Sequence, residues 1–172
     1  MSNCGGNCCP SCSPEGLNLE DIKRCEPNKT PFTRRKILII CTGNSCRSQM
    51  AQGWLRFFDE RLDVYSAGTR PEKKVNPNAV KVMEEVGINI KGHYTKHIDK
   101  FIKENFDYAI TVCDSAKESC PVFSGNVKNQ LHIGFEDPAD ATGTEEEILD
   151  VYRKIRDEIK VAFYKFYTEL FN

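Results

Sequence analysis

Cys41 and Arg47 enclose a run of small residues, Thr42-Gly43-Asn44-Ser45-Cys46, and Ser48 follows. The C-x5-R spacing arises easily by chance and gains weight only from its setting. If the chain curls between the two ends, the N–H groups of Thr42 to Arg47 form a nest for a tetrahedral oxyanion. A helix starting at Arg47 adds partial positive charge at the same place. That field is expected to favour a thiolate at Cys41, bringing its pKa from about 8.5 into the range of roughly 3.5–7.5 seen in reactive cysteines. Arg47 offers a planar pair of donors to two anion oxygens. Ser48 can donate its hydroxyl to the sulfur, and Asn44 tolerates the left-handed backbone that a tight loop demands. Cys46 is expected to serve through its backbone alone.

The elements around this loop have the pattern it needs. Lys36 to Ile40 is a short β-branched run, consistent with a strand buried on both faces. After the loop, Met50, Ala51, Trp54, Leu55, Phe57, Phe58 and Leu62 recur at helical spacing. Val64 to Ala67 reads as a second strand ending at Gly68. Asn76 and Pro77 suit a helix cap and first position, Ala79, Val82, Met83 and Val86 form its stripe, and Gly87 stops it. Tyr108 to Val112 reads as a third strand and Leu131 to Ile133 as a fourth. Thr144 and Glu147 make a capping box before a helix carrying Ile148, Tyr152, Ile155, Ile159, Phe163, Phe166 and Leu170. Strands alternating with helices predict an α/β fold: an open four-stranded parallel sheet with helices on both faces. In such sheets ligands bind beyond the carboxyl ends of the strands, where Cys41 falls.

Cys41 to Ser48, followed by Tyr65-Ser66-Ala67-Gly68, resembles the low-molecular-weight tyrosine phosphatase superfamily over about residues 36–168. Two branches share that fold, the phosphatases and the arsenate reductases. The resemblance implies that Asp137, in Glu136-Asp137-Pro138, is the general acid that protonates the departing oxygen. A reductase needs further thiols, one to collapse onto the nucleophile and one to carry the disulfide outward. Cys113, at the end of the third expected strand, and Cys120 match the thioredoxin-coupled reductases at both positions. Cys46-Arg47-Ser48-Gln49-Met50-Ala51 is typical of that branch. Ala139 stands where phosphatases commonly place an aromatic residue that frames a phosphotyrosine ring. The implied reaction is reduction of arsenate to arsenite by a relay through Cys41, Cys113 and Cys120, regenerated by thioredoxin or a similar dithiol protein. No cofactor is required for that chemistry. Some relatives hold potassium near the loop, but the corresponding positions here are the uncharged Gln52 and Asn89.

If 113–120 is helical when reduced, the two Cα atoms lie about 10 Å apart at a rise of about 1.5 Å per residue. A disulfide needs roughly 4.4–6.8 Å, so the segment is expected to unwind on oxidation.

Residues 1–35 have a different texture. They hold Cys4, Cys8, Cys9, Cys12 and Cys25 among four prolines, with too few apolar residues for a core. This segment reads as a Cys-rich extension to a domain at 36–172, either a tail with free thiols or a small metal or metalloid site. His93 and His97 read as a surface loop, and His132 as a packed residue of the fourth strand.

The chain has 172 residues, with 24 Lys plus Arg against 25 Asp plus Glu and a net charge of −1. That balance offers no basic field for a phosphate backbone, so nucleic acid is not an expected partner. The longest apolar run, Ile37 to Cys41, is far short of the ~20 residues that span a bilayer. With no basic-then-apolar leader pattern, a cytoplasmic location is expected. Nine cysteines in that compartment point to redox or metal chemistry rather than structural disulfides. Two other classes remain open: a phosphomonoesterase, which would ignore thioredoxin, and a metal or metalloid sensor, which would bind without turnover.

Overall fold

Ile37-Leu38-Ile39-Ile40 has no polar side to offer solvent, and strand β1 (Lys36–Cys41) buries all four completely between two layers. This computed structural model describes residues 34–114 and 122–171. Cys4, Cys8, Cys9, Cys12, Cys25 and Cys120 lie outside the described residues, as does the segment expected to be helical before Cys120.

After β1 come helix α1 (Arg47–Phe58), strand β2 (Asp63–Gly68), helix α2 (Pro77–Glu85), strands β3 (Asn105–Thr111) and β4 (Asn126–His132), and helix α3 (Glu145–Glu169). The sheet order is β2-β1-β3-β4 and every pair is parallel. Side chains alternate across β1. Ile37 and Ile39 pack with Met50, Trp54, Val82, Ile155, Ile159 and Phe163 from the three α-helices. Leu38 and Ile40 face Phe101, Phe106, Ala109 and Phe123. Among the described residues, that second face is covered by the 3-10 helix Ile98–Phe101 and by Phe123. Helical structure thus covers both faces, with the α-helices on the first.

The caps work as expected. Asn76 accepts from the Asn78 N–H, and Thr144 with Glu147 forms the reciprocal box at the start of α3. Gly87 takes a φ of +76° just beyond α2. Helix α1 stops at Phe58 rather than running to Leu62. Asp59 there accepts from the backbone and side chain of Arg61, a local turn that competes with the next helical bond. Strand β3 begins at Asn105 and β4 at Asn126, earlier than the apolar runs suggested. β4 is an edge strand with mostly exposed side chains, so burial imprints little pattern on it. His132, expected to pack, is exposed at its end.

Candidate active site

The loop leaving β1 is fixed from two sides. Four backbone bonds stitch it to the segment after β2: Thr69 N to Cys41 O (3.3 Å), Arg70 N to Thr42 O (3.0 Å), Glu72 N to Gly43 O (2.9 Å) and Asn76 N to Ser45 O (2.9 Å). Gly68 permits that approach. A Cβ there would stand 2.5 Å from Thr42 O and 3.0 Å from Asn44 N, both rigid backbone atoms. From the other side, Gln49 Nε2 donates to Asn44 O (2.9 Å) and Tyr94 O (3.1 Å), while its Oε1 meets His93 Nδ1 (3.0 Å). Asn44 takes the left-handed conformation expected of it, φ +49°, and its Oδ1 accepts from Lys96 N at 2.8 Å.

Asn44 and Ser48 both act on the Cys41 sulfur. Asn44 N donates to Sγ at 3.0 Å, and Ser48 Oγ lies 3.0 Å from it. Asn44 Nδ2 donates to Ser48 Oγ at 2.9 Å, which leaves the serine hydrogen to point at the sulfur. Burial nevertheless pushes the Cys41 thiol above its ordinary range, opposed by Ser48, Asn44 and the Arg47 guanidinium. The depressed pKa expected from the loop alone is therefore corrected. The sulfur is almost wholly enclosed, and removing water costs the thiolate more than the donors return. Cys46 faces Tyr152 OH at 3.6 Å, and burial raises its thiol to about 11, consistent with a backbone part only.

Arg47 is buried at the start of α1, where Cys46 provides no side-chain cap. One arm of its guanidinium donates to Phe135 O at 3.1 Å and the other pairs with the Asp137 carboxylate. Asp137 also accepts from Ala139 N at 3.0 Å, capping the 3-10 helix Pro138–Asp140. It is at once a turn residue before proline and a carboxylate held at the loop. The cleft that Cys41, Thr42, Gly43, Ser45, Cys46, Arg47 and Asp137 share has a volume of about 680 Å³. Its lining also includes Arg70, Glu72, Lys73 and Lys74, a cluster of charge within five residues of sequence that sequence reasoning passed over. Gln49 and Phe135 O were missed as well. Neither a lone glutamine nor a backbone carbonyl carries a sequence signal.

Cys113 reaches the same rim. Ile40 pairs with Thr111 across β1 and β3, and Val112 N donates to Ile40 O at 2.9 Å. Cys41 and Val112 are the next neighbours, and Cys113, fully buried, is one residue further.

A cation does not fit the positions the resemblance suggested. Gln52 is buried with its amide donating to Val64 O (3.2 Å) and accepting from Ser66 Oγ (2.7 Å). Asn89 is exposed and spends its oxygen on Lys91 N. Among the described residues no group of three His, Cys, Asp or Glu side chains converges as metal ligands.

Residues 36–172 match the family model described as low molecular weight phosphotyrosine protein phosphatase. An arsenate reductase of Oceanobacillus iheyensis is 48% identical over 129 residues, covering 74% of this chain and 91% of the relative. An arsenate reductase of Bacillus subtilis is 48% identical over 124 residues, covering 72% and 88%. A solved arsenate reductase in the phosphate binding state superposes with a TM-score of 0.66 at 29% identity, over 78% of this chain and 98% of that one. None of the described helices is long and apolar enough to cross a membrane.

Proposed function

Since the chain belongs to the low molecular weight phosphotyrosine protein phosphatase family, we propose that it is the reductase form of that fold, converting arsenate to arsenite. The observation that carries this reading is the second thiol: Cys113 follows the residue beside Cys41 on the adjacent parallel strand. A phosphomonoesterase needs no such group. No aromatic side chain among the described residues lines the cleft, and Ala139 stands at its mouth, so nothing there frames an aryl ring.

Arsenate binds to the loop N–H groups of Thr42 to Arg47, with Arg47 and the hydroxyl and amide groups of Ser48 and Asn44 holding the geometry. Cys41 attacks arsenic, and its thiol proton leaves with an arsenate oxygen as water, aided by Asp137. The Cys113 thiolate then attacks Cys41 Sγ. An S–S bond forms, the S–As bond breaks, and its electron pair stays on arsenic, which departs as arsenite. Cys120 next attacks Cys113, freeing Cys41. A dithiol protein of the thioredoxin kind reduces the resulting disulfide.

An assay coupling NADPH oxidation to arsenate through thioredoxin and thioredoxin reductase tests this reading. Arsenate-dependent turnover is expected, and it should persist when residues 1–35 are removed. Phosphomonoester hydrolysis without any arsenate-dependent NADPH loss would overturn it.

A further inference from the structure

Gln49 is wholly buried in the first turn of α1, and both ends of its amide are committed. One end faces two carbonyl oxygens, Asn44 O at 2.9 Å and Tyr94 O at 3.1 Å. Carbonyls only accept, so that end is the NH₂ group, with one hydrogen for each. The other end is the acceptor Oε1, and His93 Nδ1, 3.0 Å away, must therefore be its donor. The imidazole tautomer is thus fixed. Burial, with Arg56 and Lys96 nearby, pushes the His93 pKa down to about 4, so the ring stays neutral in neutral solution. Asn44 O shares a peptide unit with Ser45 N–H. That unit is trans and planar, so its C=O and N–H point in opposite directions. With the carbonyl turned to the buried Gln49 amide, the N–H is turned the other way. Ser45 lines the cleft, and its N–H makes no hydrogen bond among the described residues. The left-handed backbone of Asn44, on one side of this peptide, is sparsely populated and persists only where neighbours hold it.

We propose that Gln49 and His93 are positioning residues for the oxyanion, holding the Asn44–Ser45 peptide so that Ser45 N–H, and not Asn44 O, is presented to the anion. This rests on the loop being the oxyanion site, which the reductase reading also requires. If that peptide turned over, the nest would lose a donor and gain a carbonyl dipole that repels negative charge. Gln49 acts on the peptide directly. His93 acts through Gln49, because an N–H bound to Oε1 stops the amide from exchanging its two ends. The Cys41 sulfur is served by other groups. Its donors are Asn44 N, which belongs to the preceding peptide unit, and Ser48 Oγ. Loss of Gln49 or His93 therefore weakens anion binding and spares the thiol.

The test is calorimetric titration of the full, reduced chain with inorganic phosphate, an unreactive tetrahedral oxyanion, in wild type, Gln49→Met, His93→Phe and His93→Asn. Gln49→Met keeps the length of the side chain and loses its amide. Phosphate affinity should fall about tenfold, the scale of one hydrogen bond to a charged group. His93→Phe keeps a ring without the Nδ1 donor and should also bind phosphate more weakly. His93→Asn offers an amide N–H in place of Nδ1–H and should retain most of the affinity. Iodoacetamide alkylation of Cys41 without anion should proceed at the wild-type rate in all three. Should Gln49→Met fail to fold, the half-buried His93 pair decides. Wild-type affinity in Gln49→Met or His93→Phe, equal losses in the two His93 variants, or a matching fall in Cys41 alkylation would overturn the assignment. No phosphate binding by a wild type whose Cys41 is alkylated normally would sink the oxyanion loop and this role with it. Binding weakened as expected, in a chain that does not reduce arsenate, would refute the reductase reading alone.

Discussion

Cys113 stands one residue beyond the neighbour of Cys41 across the β1–β3 ladder, so the two thiol residues close adjacent strands at one rim of the sheet. In a parallel sheet all strands deliver their carboxyl ends to the same edge, and β1 and β3 are direct neighbours. A second thiol at that edge is thus brought to the oxyanion loop by topology alone.

The first consequence concerns Cys113→Ser. The oxyanion loop stays intact in this variant, so slow phosphomonoester hydrolysis at Cys41 should survive. Arsenate reduction should stop at the first adduct. Arsenite measured per chain would remain near zero, and catalytic release would refute the role given to Cys113.

Ser48→Ala removes, and Asn44→Ala misdirects, a donor that opposes the effect of burial on the Cys41 thiol. Burial raises this thiol, so its reactivity climbs as pH rises through its pKa. Losing Ser48 as donor moves that climb to still higher pH. In Asn44→Ala the backbone N–H remains but loses the Oδ1 bond that sets its direction, so the shift has the same sign. Iodoacetamide alkylation followed against pH checks both, and a shift toward lower pH would contradict the donor geometry.

Gly68→Ala would place a methyl carbon 2.5 Å from Thr42 O, where only backbone can yield. Overpacking of this kind costs roughly 1–3 kcal/mol. Urea unfolding should show that loss, and arsenate turnover should fall further than stability does, because the displaced atoms belong to the anion loop. Unchanged turnover would show that the loop tolerates movement.

Arg70, Lys73 and Lys74 line the same cleft as Asp137, and none of the three is ion-paired among the described residues. In the cleft lining Arg47, Arg70, Lys73 and Lys74 outnumber Glu72 and Asp137, and an excess of one sign of charge raises the capture rate of counter-charged substrates. Reversing both lysines to glutamate should lower kcat/KM for the arsenate dianion about tenfold at low ionic strength. The difference should vanish near ~1 M salt, where the screening length is about 3 Å. A defect that survives high salt would indicate direct contact rather than steering.

Much of this site was readable in the residues. The aliphatic run of β1, the small residues of the loop, Asn44 with its positive φ, and the Thr144–Glu147 box each express a local rule strongly enough to be seen without a structure. What stayed hidden depends on long-range backbone geometry. The segment 69–76 is bonded to the loop through main-chain atoms, which leave no mark on side-chain identity. Strand β4 was shortened because an exposed edge strand needs no apolar alternation. The same exposure misplaced His132, whose company at Gly134 and Cys113 depends on the register of two strands. The Cys41 pKa was misjudged because donors can be inferred from a loop motif, whereas the depth of burial cannot.

The most direct test of the sulfur relay is stoichiometric. The reduced chain is mixed with excess arsenate and no external reductant, free thiols and arsenite are counted, and the linked peptides are mapped. One arsenite per chain, two thiols lost, and a bond joining Cys113 to Cys120 with Cys41 again free are the predicted result. Arsenite release with the loss confined to other cysteines, or no release at all, would contradict the account.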